Sequence, residues 1–329
     1  MRRLLFIINP NAGRTAIKID LFEIIMIFSN NGYEVVTYPT TGPGDAARKV
    51  RIDGNKYDLI VCAGGDGTVE NTISGYMEMG EKKVPIGYIP VGTTNDFARS
   101  LKIPRRPLEA AEYIMNGVPS YIDVGRFVDK YFIYIAAFGV FTDISYSTNQ
   151  SLKKIMGHSA YVVEALRNIT NYKTYNIIAD LDDIRITGEY IYGMITNSFS
   201  VAGFKIRGSK HVSLNDGKFD CLFIKKPQTP TELQAVITAI VSNDITDNEL
   251  FFECKASKVT IRCEDEIAWT IDGEYGGNLK EAVIINQQQA AGIYLDKGYS
   301  FADEALATLD YSSLVYDADA DDNYFDSWD

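Results

Sequence analysis

Two glycine-rich stretches in the first hundred residues have the composition of phosphate-binding loops. Residues 64–68 read Gly-Gly-Asp-Gly-Thr, and residues 91–97 read Val-Gly-Thr-Thr-Asn-Asp-Phe. Glycines let backbone N–H groups approach a phosphate, and the start of a following helix adds partial positive charge. An aspartate in such a loop repels an anion unless a cation lies between them, so Asp66 suggests a Mg²⁺ ion. Residues 64–68 taken alone also fit a tight turn in which Asp66 caps the helix through Thr68.

A third stretch, Asn-Pro-Asn-Ala-Gly at residues 9–13, follows a short aliphatic run. None of the three stretches has the spacing of a Walker A loop or of a GxGxxG motif. Three loops of this type, each placed after a predicted strand, are more than turn chemistry usually produces. The sequence therefore predicts a nucleotide phosphate site at the rim where the carboxyl ends of the strands meet.

Carboxylates also stand at two turns in the second half of the chain. Residues 214–218 fit a tight hairpin turn, or a metal site in which Asp216 and turn carbonyls supply the oxygen ligands. Residues 269–274 read Trp-Thr-Ile-Asp-Gly-Glu and place Glu274 just beyond a strand-like run. By itself, Glu274 would be a surface glutamate.

The elements that must position these loops alternate along the first 120 residues. Aliphatic, strand-like runs are each followed by a helical segment, which predicts a parallel sheet with right-handed crossovers. After residue 120, adjacent strands are predicted at residues 120–127 and 131–138, and a helical interval at residues 142–170. Short runs of Val, Ile, Tyr and Phe then follow one another and predict an antiparallel sandwich or barrel. The predicted fold is an α/β domain followed by a β-rich domain.

Composition excludes several other classes of protein. The chain has 329 residues, of which 46% are hydrophobic and 23% charged, as in ordinary globular proteins. The apolar run at residues 133–141 is far shorter than the roughly 20 residues that span a bilayer. Four cysteines without CxxC spacing and two histidines disfavour a disulfide framework, a zinc site and triad chemistry. No signal peptide is predicted at the start, so we expect a cytoplasmic protein.

The net charge of −12 is unevenly distributed along the chain. Residues 301–329 contain nine acids and no lysine or arginine, so the first 300 residues carry the remaining charge of −3. The end of the chain is therefore predicted to be an acidic tail. The body has no basic patch of the kind that binds nucleic acid.

Five motifs stand in the order that is typical of bacterial soluble diacylglycerol kinases. They are residues 64–68, 92–99, 122–125, 214–217 and 272–277. The chain resembles this family, which belongs to the lipid kinases together with sphingosine and ceramide kinases and, more distantly, is related to NAD kinase and phosphofructokinase. The similarity covers roughly residues 3–300 and leaves the acidic tail outside.

The resemblance implies an N-terminal parallel-sheet α/β nucleotide domain, like that of NAD kinase and phosphofructokinase, and a C-terminal antiparallel β-sandwich domain. The active site would lie between them. The implied divisions are an ATP-binding domain at residues 1–125, a lipid-substrate domain at 126–295, a segment at 296–312 that packs back on the first domain, and the acidic tail at 313–329.

The resemblance also implies a reaction in which ATP phosphorylates the hydroxyl of diacylglycerol and gives phosphatidic acid. Glu274 matches the general base, and Asp66 matches the catalytic acid that is associated with Mg²⁺. Asp96 and Asp123 match a supporting network of carboxylates and water. The positions that match ATP contacts are Asn9, Pro10, Asn11, Ala12, Gly13, Thr41, Gly65, Asp66, Gly67, Thr68, Val69, Glu70, Asn71 and Thr93.

A second Mg²⁺ site, structural in role, is implied in the turn of the second half. Its ligands would be the Asp216 carboxylate and the carbonyls of Ser213 and Lys218. The chain departs from the family pattern at Asn215, where a second aspartate is common, and this removes one charge near the implied metal. Arg14 also stands where lysine is common.

Several alternatives remain open at the level of sequence. Asp66 is a rival to Glu274 as the base, and the acceptor could be ceramide, phosphatidylglycerol, a polyprenol or a soluble molecule such as NAD. A non-catalytic regulator is a further class, although Asp66, Asp96 and Glu274 are all present. A lipid kinase without a membrane-spanning segment is expected to act peripherally at the inner face of the membrane, without nucleic acid, and a homodimer is a further expectation.

Overall fold

The computed structural model describes residues 1–12, 16–80, 83–93, 95–140, 173–197, 213–242, 245 and 248–301. Gly13, the helical interval predicted at residues 142–170 and the predicted acidic tail lie outside this part of the chain.

The described residues form a mixed α/β structure. The strands are β1 (Arg2–Ile8), β2 (Tyr33–Pro39), β3 (Leu59–Gly64), β4 (Ile86–Pro90), β5 (Val118–Phe127), β6 (Lys130–Phe132), β7 (Ile135–Gly139), β8 (Tyr175–Leu181), β9 (Ile184–Thr196), β10 (Phe219–Lys225), β11 (Phe251–Ala256), β12 (Lys258–Ile271) and β13 (Glu274–Leu295). The helices are α1 (Ala16–Asn30), α2 (Asp45–Asp53) with a 3₁₀ turn at Gly54–Lys56, α3 (Asp66–Glu78), α4 (Asp96–Ser100), α5 (Pro107–Asn116) and α6 (Pro230–Ser242). Among them, none is both long and apolar enough to cross a bilayer.

The first half is built as its alternating pattern predicts. Strands β1 to β4 pair in parallel in the order β4-β3-β1-β2. Every residue of β3 and β4 is buried, as expected for parallel strands whose faces are covered by helices. The predicted parallel sheet is therefore confirmed.

Helix α5 was not predicted from the sequence, although Pro107 at its start is a favoured first residue of a helix.

The second half is antiparallel, as predicted. Strand β9 pairs with β8 along its first part and with β7 and β10 along its second part. Strand β12 pairs with β8, β7 and β13. All described strands belong to one hydrogen-bonded sheet, so the two-sheet arrangement of a sandwich stays a prediction.

The long strand β13 connects the two halves. Its first part pairs with β12, its middle and end pair with β5, and Ile293 meets Ile86 of β4 in parallel. The end of β13 belongs to the apolar core of the first half, whereas Ile284 belongs to the core around Trp269. One strand thus contributes to both cores. The domain boundaries drawn from the sequence stay predictions.

One strand predicted from the sequence is interrupted. The expected strand at residues 131–138 consists of two short strands, β6 and β7, separated by Ile133 and Tyr134. The backbone N–H groups of Ile133, Tyr134 and Ile135 donate to the carboxylate of Asp272. The strand breaks here because these donors bind a side chain.

Candidate functional site

The three loops predicted to bind phosphate lie together at the carboxyl ends of β1, β3 and β4. The Asn9 N–H donates to the Ala63 carbonyl at 2.9 Å, and the Asn9 side-chain amide donates to the Thr68 hydroxyl at 3.0 Å. On the other side, the Val91 N–H donates to the Gly64 carbonyl at 2.9 Å. The predicted rim is confirmed, and residues 64–68 are its centre.

The glycines of these loops are required by the close approach of the backbones. A Cβ atom added at Gly92 would lie 2.5 Å from the Cα atom of Gly65. A Cβ atom at Gly64 would lie 2.2 Å from the Thr68 hydroxyl oxygen. Since real Cβ atoms do not approach other atoms this closely, side chains at either position would push the loops apart.

Asp66 is the residue through which the loops are fixed to one another. Its Oδ2 atom accepts the Asp96 N–H, and its Oδ1 atom accepts the Phe97 N–H, both at 3.1 Å. Asp66 therefore caps the start of α4. The alternative in which it caps its own helix is wrong, because Gly65 is the N-cap of α3 and no side-chain capping bond is made there.

Asn95 holds the second loop in shape. It adopts a left-handed conformation with φ of 53° immediately before α4. Its Oδ1 atom accepts the Gly92 N–H at 2.9 Å, and its Nδ2 atom donates to the Gly92 carbonyl at 2.7 Å. Asn95 is buried and was not predicted as a site residue. Its place before an acidic helix start is a recognisable sequence signal.

Tyr134 and Asp272 bring the second half of the chain to the same point. The Tyr134 hydroxyl donates to Asp66 Oδ1 at 2.8 Å. The Asp272 carboxylate accepts the N–H groups of residues 133–135 at 2.8 to 2.9 Å. Asp272 and Gly273, with φ of 47° and 87°, form the two-residue turn between β12 and β13. Sequence analysis missed both Tyr134 and Asp272, since Asp-Gly alone indicates only a turn.

Several carboxylates lie close together across this junction, and burial raises the pKa values of two of them, Asp272 and Glu70. Burial raises the pKa of Asp272 to about 6, against the lowering effect of its three N–H donors and with a further contribution from Asp66. Burial, followed by the charges of Asp272 and Glu274, raises the pKa of Glu70 to about 9. Glu274 itself is exposed at the start of β13. Its negative charge is near enough to contribute to the raised pKa of Glu70 in α3.

The remaining residues that match ATP contacts line the same rim, with Gly13 outside the described part of the chain. Thr41 donates both its N–H and its hydroxyl to the buried Asp45 at 2.9 and 3.0 Å. The Asn71 amide donates to the Gly67 carbonyl, and the Asn11 N–H donates to Asn9. Among the described positions that match ATP contacts, the exposed residues are Pro10, Asn11, Thr41, Gly67 and Thr93.

Asp96 and Asp123 have different surroundings. Asp96 lies at the start of α4, beside Asp66, and its carboxylate contacts Arg99 at 3.3 Å. Asp123 is completely buried in β5, and burial raises its pKa. Its two oxygens accept the N–H groups of Gly217 and Gln289 at 2.7 and 2.8 Å. In this geometry Asp123 connects the turn at residues 214–218 to the irregular part of β13 at Gln289.

The implied structural metal site is a tight turn whose aspartate, Asp216, is paired with a lysine. Asp216 Oδ1 accepts the Lys218 N–H at 3.0 Å, and Asp216 Oδ2 lies 2.9 Å from the ammonium of Lys255. The Ser213 hydroxyl donates to the Asn215 side chain. In the described ranges, no three or more His, Cys, Asp or Glu side chains are grouped so that they could hold a metal.

The raised pKa of Glu70 predicts a pH dependence of stability. Because its pKa is about 9 in the folded protein and 4.5 ordinarily, the folded state holds a proton that the unfolded state releases. The free energy of unfolding should therefore fall as pH rises from about 4.5 to 9, by less than the ~1.4 kcal/mol per pH unit of one full proton. Glu70→Gln should flatten this slope in urea titrations without nucleotide or metal. Glu112→Gln, at an exposed position, should keep the slope, and an unchanged slope in Glu70→Gln would contradict the assignment.

Comparison with known proteins points to one family. Residues 3–127 match the family model of the diacylglycerol kinase catalytic domain. The diacylglycerol kinase of Bacillus subtilis strain 168 is 34% identical over 281 residues, which cover 85% of this chain and 92% of that protein. The diacylglycerol kinase of Staphylococcus epidermidis strain RP62A is 31% identical over 297 residues, covering 90% and 93%.

Solved structures give the same result. A Bacillus anthracis strain Sterne protein assigned as a diacylglycerol kinase superposes with a TM-score of 0.76 and 25% identity, covering 91% of this chain and 97% of that one. Since relatives more than 30% identical align along most of the sequence, this chain belongs to the diacylglycerol kinase family.

Proposed function

We propose that this protein uses ATP to phosphorylate the hydroxyl of a diacylglycerol, which gives phosphatidic acid. The observation that carries the proposal is the junction at Asp66, where a phosphate-type rim and the carboxylates of the second half meet. A kinase that transfers a phosphoryl group to a lipid needs both parts, one for the nucleotide and one for the acceptor. Family membership supplies the class of acceptor.

The rim supplies what the phosphates of ATP require. Helix α3 begins at Asp66, and its N-cap, Gly65, makes no side-chain bond, so the helix dipole and the N–H groups at the very start of the helix can interact with an anion. Asn9, Thr68 and the two glycine loops surround this end of the helix. Phosphoryl transfer depends mainly on positioning and on neutralising charge, and these groups provide both.

The donor chemistry at Asp66 fits a nucleotide-bound Mg²⁺ ion. Mg²⁺ usually takes one or two carboxylates together with phosphate oxygens and water. Asp66 Oδ2 accepts one hydrogen bond and so retains a lone pair, and the neighbouring Asp96 carboxylate is partly exposed. When bound, the ion would neutralise charge that develops on the transferred phosphoryl group. Asp66 and Asp96 are the residues that would hold it.

Glu274 is the better candidate for the base that accepts the proton of the hydroxyl. It is exposed, stands in the second half, and its charge contributes, after burial and Asp272, to the raised pKa of Glu70 in α3. Asp66 accepts three hydrogen bonds from Asp96, Phe97 and Tyr134, which leaves less of its oxygen surface for a proton. Geometry therefore favours Glu274 for proton transfer and Asp66 for charge neutralisation.

At the proposed structural Mg²⁺ site, Asp216 already has a cationic partner. The Asp216 carboxylate already contacts the ammonium of Lys255 and the N–H of Lys218. A metal at this carboxylate would have to displace the ammonium, and Asn215 adds no charge in compensation. No step of the reaction is assigned to this site.

The acceptor also defines where the protein would work. Diacylglycerol lies in the membrane, so we propose peripheral association with the inner face of the membrane. The function is tested with labelled ATP and Mg²⁺ in mixed vesicles that carry diacylglycerol, ceramide, phosphatidylglycerol or a polyprenol, and with NAD in detergent-free buffer. We expect labelled phosphatidic acid from diacylglycerol vesicles. Labelling of NAD without lipid would support a soluble-substrate kinase instead.

Replacing Glu274 and Asp66 separately should distinguish their roles. Glu274→Gln keeps the volume but removes the base, so kcat should fall roughly 10²- to 10⁴-fold with ATP affinity nearly unchanged. Asp66→Asn should lower kcat and also change the dependence on Mg²⁺, which excess metal partly restores. Both variants are compared as folded proteins in the same vesicles, with ATP binding measured separately. Near wild-type turnover of Glu274→Gln would transfer the role of base to Asp66.

Tyr134→Phe should show whether the bond to Asp66 positions the carboxylate. The substitution removes only the hydroxyl that donates at 2.8 Å and keeps the ring contact with Phe97. We expect a lower kcat, a changed Mg²⁺ dependence and a loss of about 1 kcal/mol in stability. Tyr131→Phe, in the neighbouring strand β6, is the matched control. Wild-type Mg²⁺ dependence in Tyr134→Phe would limit its role to stability.

The Asp216 turn is tested by its response to chelation. If Mg²⁺ binds there, EDTA should lower the Tm of the wild type, and Asp216→Ala should lower Tm and activity together and abolish the effect of EDTA. If Lys255 alone holds the turn, EDTA should leave the Tm unchanged, whereas Lys255→Met should lower it. Calorimetry of the purified protein without ATP separates these outcomes.

A further inference from the structure

Two of the four cysteines, distant in sequence, face each other across neighbouring strands. Cys221 of β10 and Cys254 of β11 are direct partners in the antiparallel register. Directly opposed residues point to the same face, with Cα atoms about 4.5 to 5.5 Å apart. A disulfide accepts Cα separations of about 4.4 to 6.8 Å. The two thiols also interact through their side chains.

The two thiols differ in accessibility and acidity. Cys221 is buried in the core around Trp269. Cys254 is half-buried on β11, which lies at one edge in the order of the described strands. The interaction with Cys221 lowers the pKa of Cys254, against the effects of its own burial and of Asp182 and Asp220. Interaction with Cys254, burial and the nearby carboxylates raise the pKa of Cys221. Cys254 is therefore the more accessible thiol of the pair, and its contact with Cys221 favours its thiolate.

The other two cysteines lack this arrangement. Cys62 is completely buried in β3, and burial raises its pKa to about 12. Cys263 in β12 is half-buried and pairs with Ile177 of β8. Cys263 therefore serves as a control of similar burial without a partner thiol across the strand.

We propose that Cys254 and Cys221 form a thiol oxidation site whose substrate is a hydroperoxide and whose product is the Cys221–Cys254 disulfide. Oxidation-sensitive cysteines in proteins typically combine thiolate character, access to solvent and a neighbouring resolving cysteine. The β10–β11 pairing brings these properties together in two residues that the sequence keeps well apart.

The reaction balances in two steps. The Cys254 thiolate attacks a peroxide oxygen, an S–O bond forms, the O–O bond breaks, and the leaving oxygen takes a proton as water or alcohol. The Cys221 sulfur then attacks the resulting sulfenic acid; the S–S bond forms, the S–O bond breaks, and hydroxide leaves as water with the Cys221 proton. Two electrons pass from the sulfurs to the peroxide. A dithiol reductant reverses the change by thiol–disulfide exchange.

The bond would connect an edge strand to its only partner among the described strands. The next pair along the same two strands is Asp220 with Lys255, and Lys255 contacts Asp216. The disulfide would therefore fix β11 beside the Asp216 turn and restrict the unfolded chain. The oxidised protein is expected to unfold at a higher temperature than the reduced one.

The test uses the full chain, reduced, desalted and treated with stoichiometric hydrogen peroxide. Intact mass should fall by two hydrogen atoms, and non-reducing peptide maps should join Cys221 to Cys254 in the wild type and in Cys263→Ser. Cys221→Ser should instead accumulate a sulfenic acid on Cys254 that dimedone traps. Cys221→Ala repeats this measurement in case the serine variant does not fold.

A dithiol should restore the original mass and lower the Tm of the oxidised wild type to that of the reduced protein. A disulfide that involves Cys62 or Cys263, or a dimedone adduct that forms as readily on Cys263 as on Cys254, would overturn the proposal. Cys254 that stays unmodified under conditions that oxidise free cysteine would overturn it as well.

Discussion

The carboxylate of Asp66 is the point on which the geometry of the site depends. It accepts two N–H groups from the start of α4 and the hydroxyl of Tyr134. It therefore connects the loop at residues 64–68 and helix α4 to a residue of the second half. Tyr134 is held in turn by Asp272, which accepts its N–H together with those of its neighbours. Rim, α4 and hairpin turn are thus fixed relative to one another by a short chain of hydrogen bonds.

These hydrogen bonds stabilise a junction in which several carboxylates lie close together. Asp66, Glu70, Asp272 and Glu274 lie near one another. Burial, together with repulsion from neighbouring carboxylates, raises the pKa values of Glu70 and Asp272. Backbone N–H groups offset part of this cost at Asp66 and Asp272. A cation bound beside these carboxylates would reduce the repulsion between them. Perturbed carboxylates in a cleft are also a common property of catalytic sites.

Much of the architecture followed from local pattern. The order and type of the strands from residue 3 to residue 90 agree with the structure to within a few residues, because buried parallel strands need continuous aliphatic runs. The loops that gather at the rim followed from the rule that parallel strands end on one side. The strand at residues 131–138 was wrong in its continuity, since a carboxylate from a residue far along the chain takes its donors. Local propensity carries no information on such a partner.

The sequence by itself determined which residues have the chemistry and which family the chain resembles. Glycines, Asp66, Asp96, Asp216 and Glu274 are recognisable from their types and spacing, because phosphate loops and turns impose local conformations that few residues adopt. Only the tertiary structure shows which residues are their hydrogen-bond and cross-strand partners. In the folded chain, Asp66 binds the start of α4 and Tyr134, and Asp123 binds Gly217 and Gln289. Asp272 accepts three N–H groups, and Cys221 lies opposite Cys254. These contacts join residues that are far apart in sequence, and their energies depend on burial and on register, which no local segment specifies.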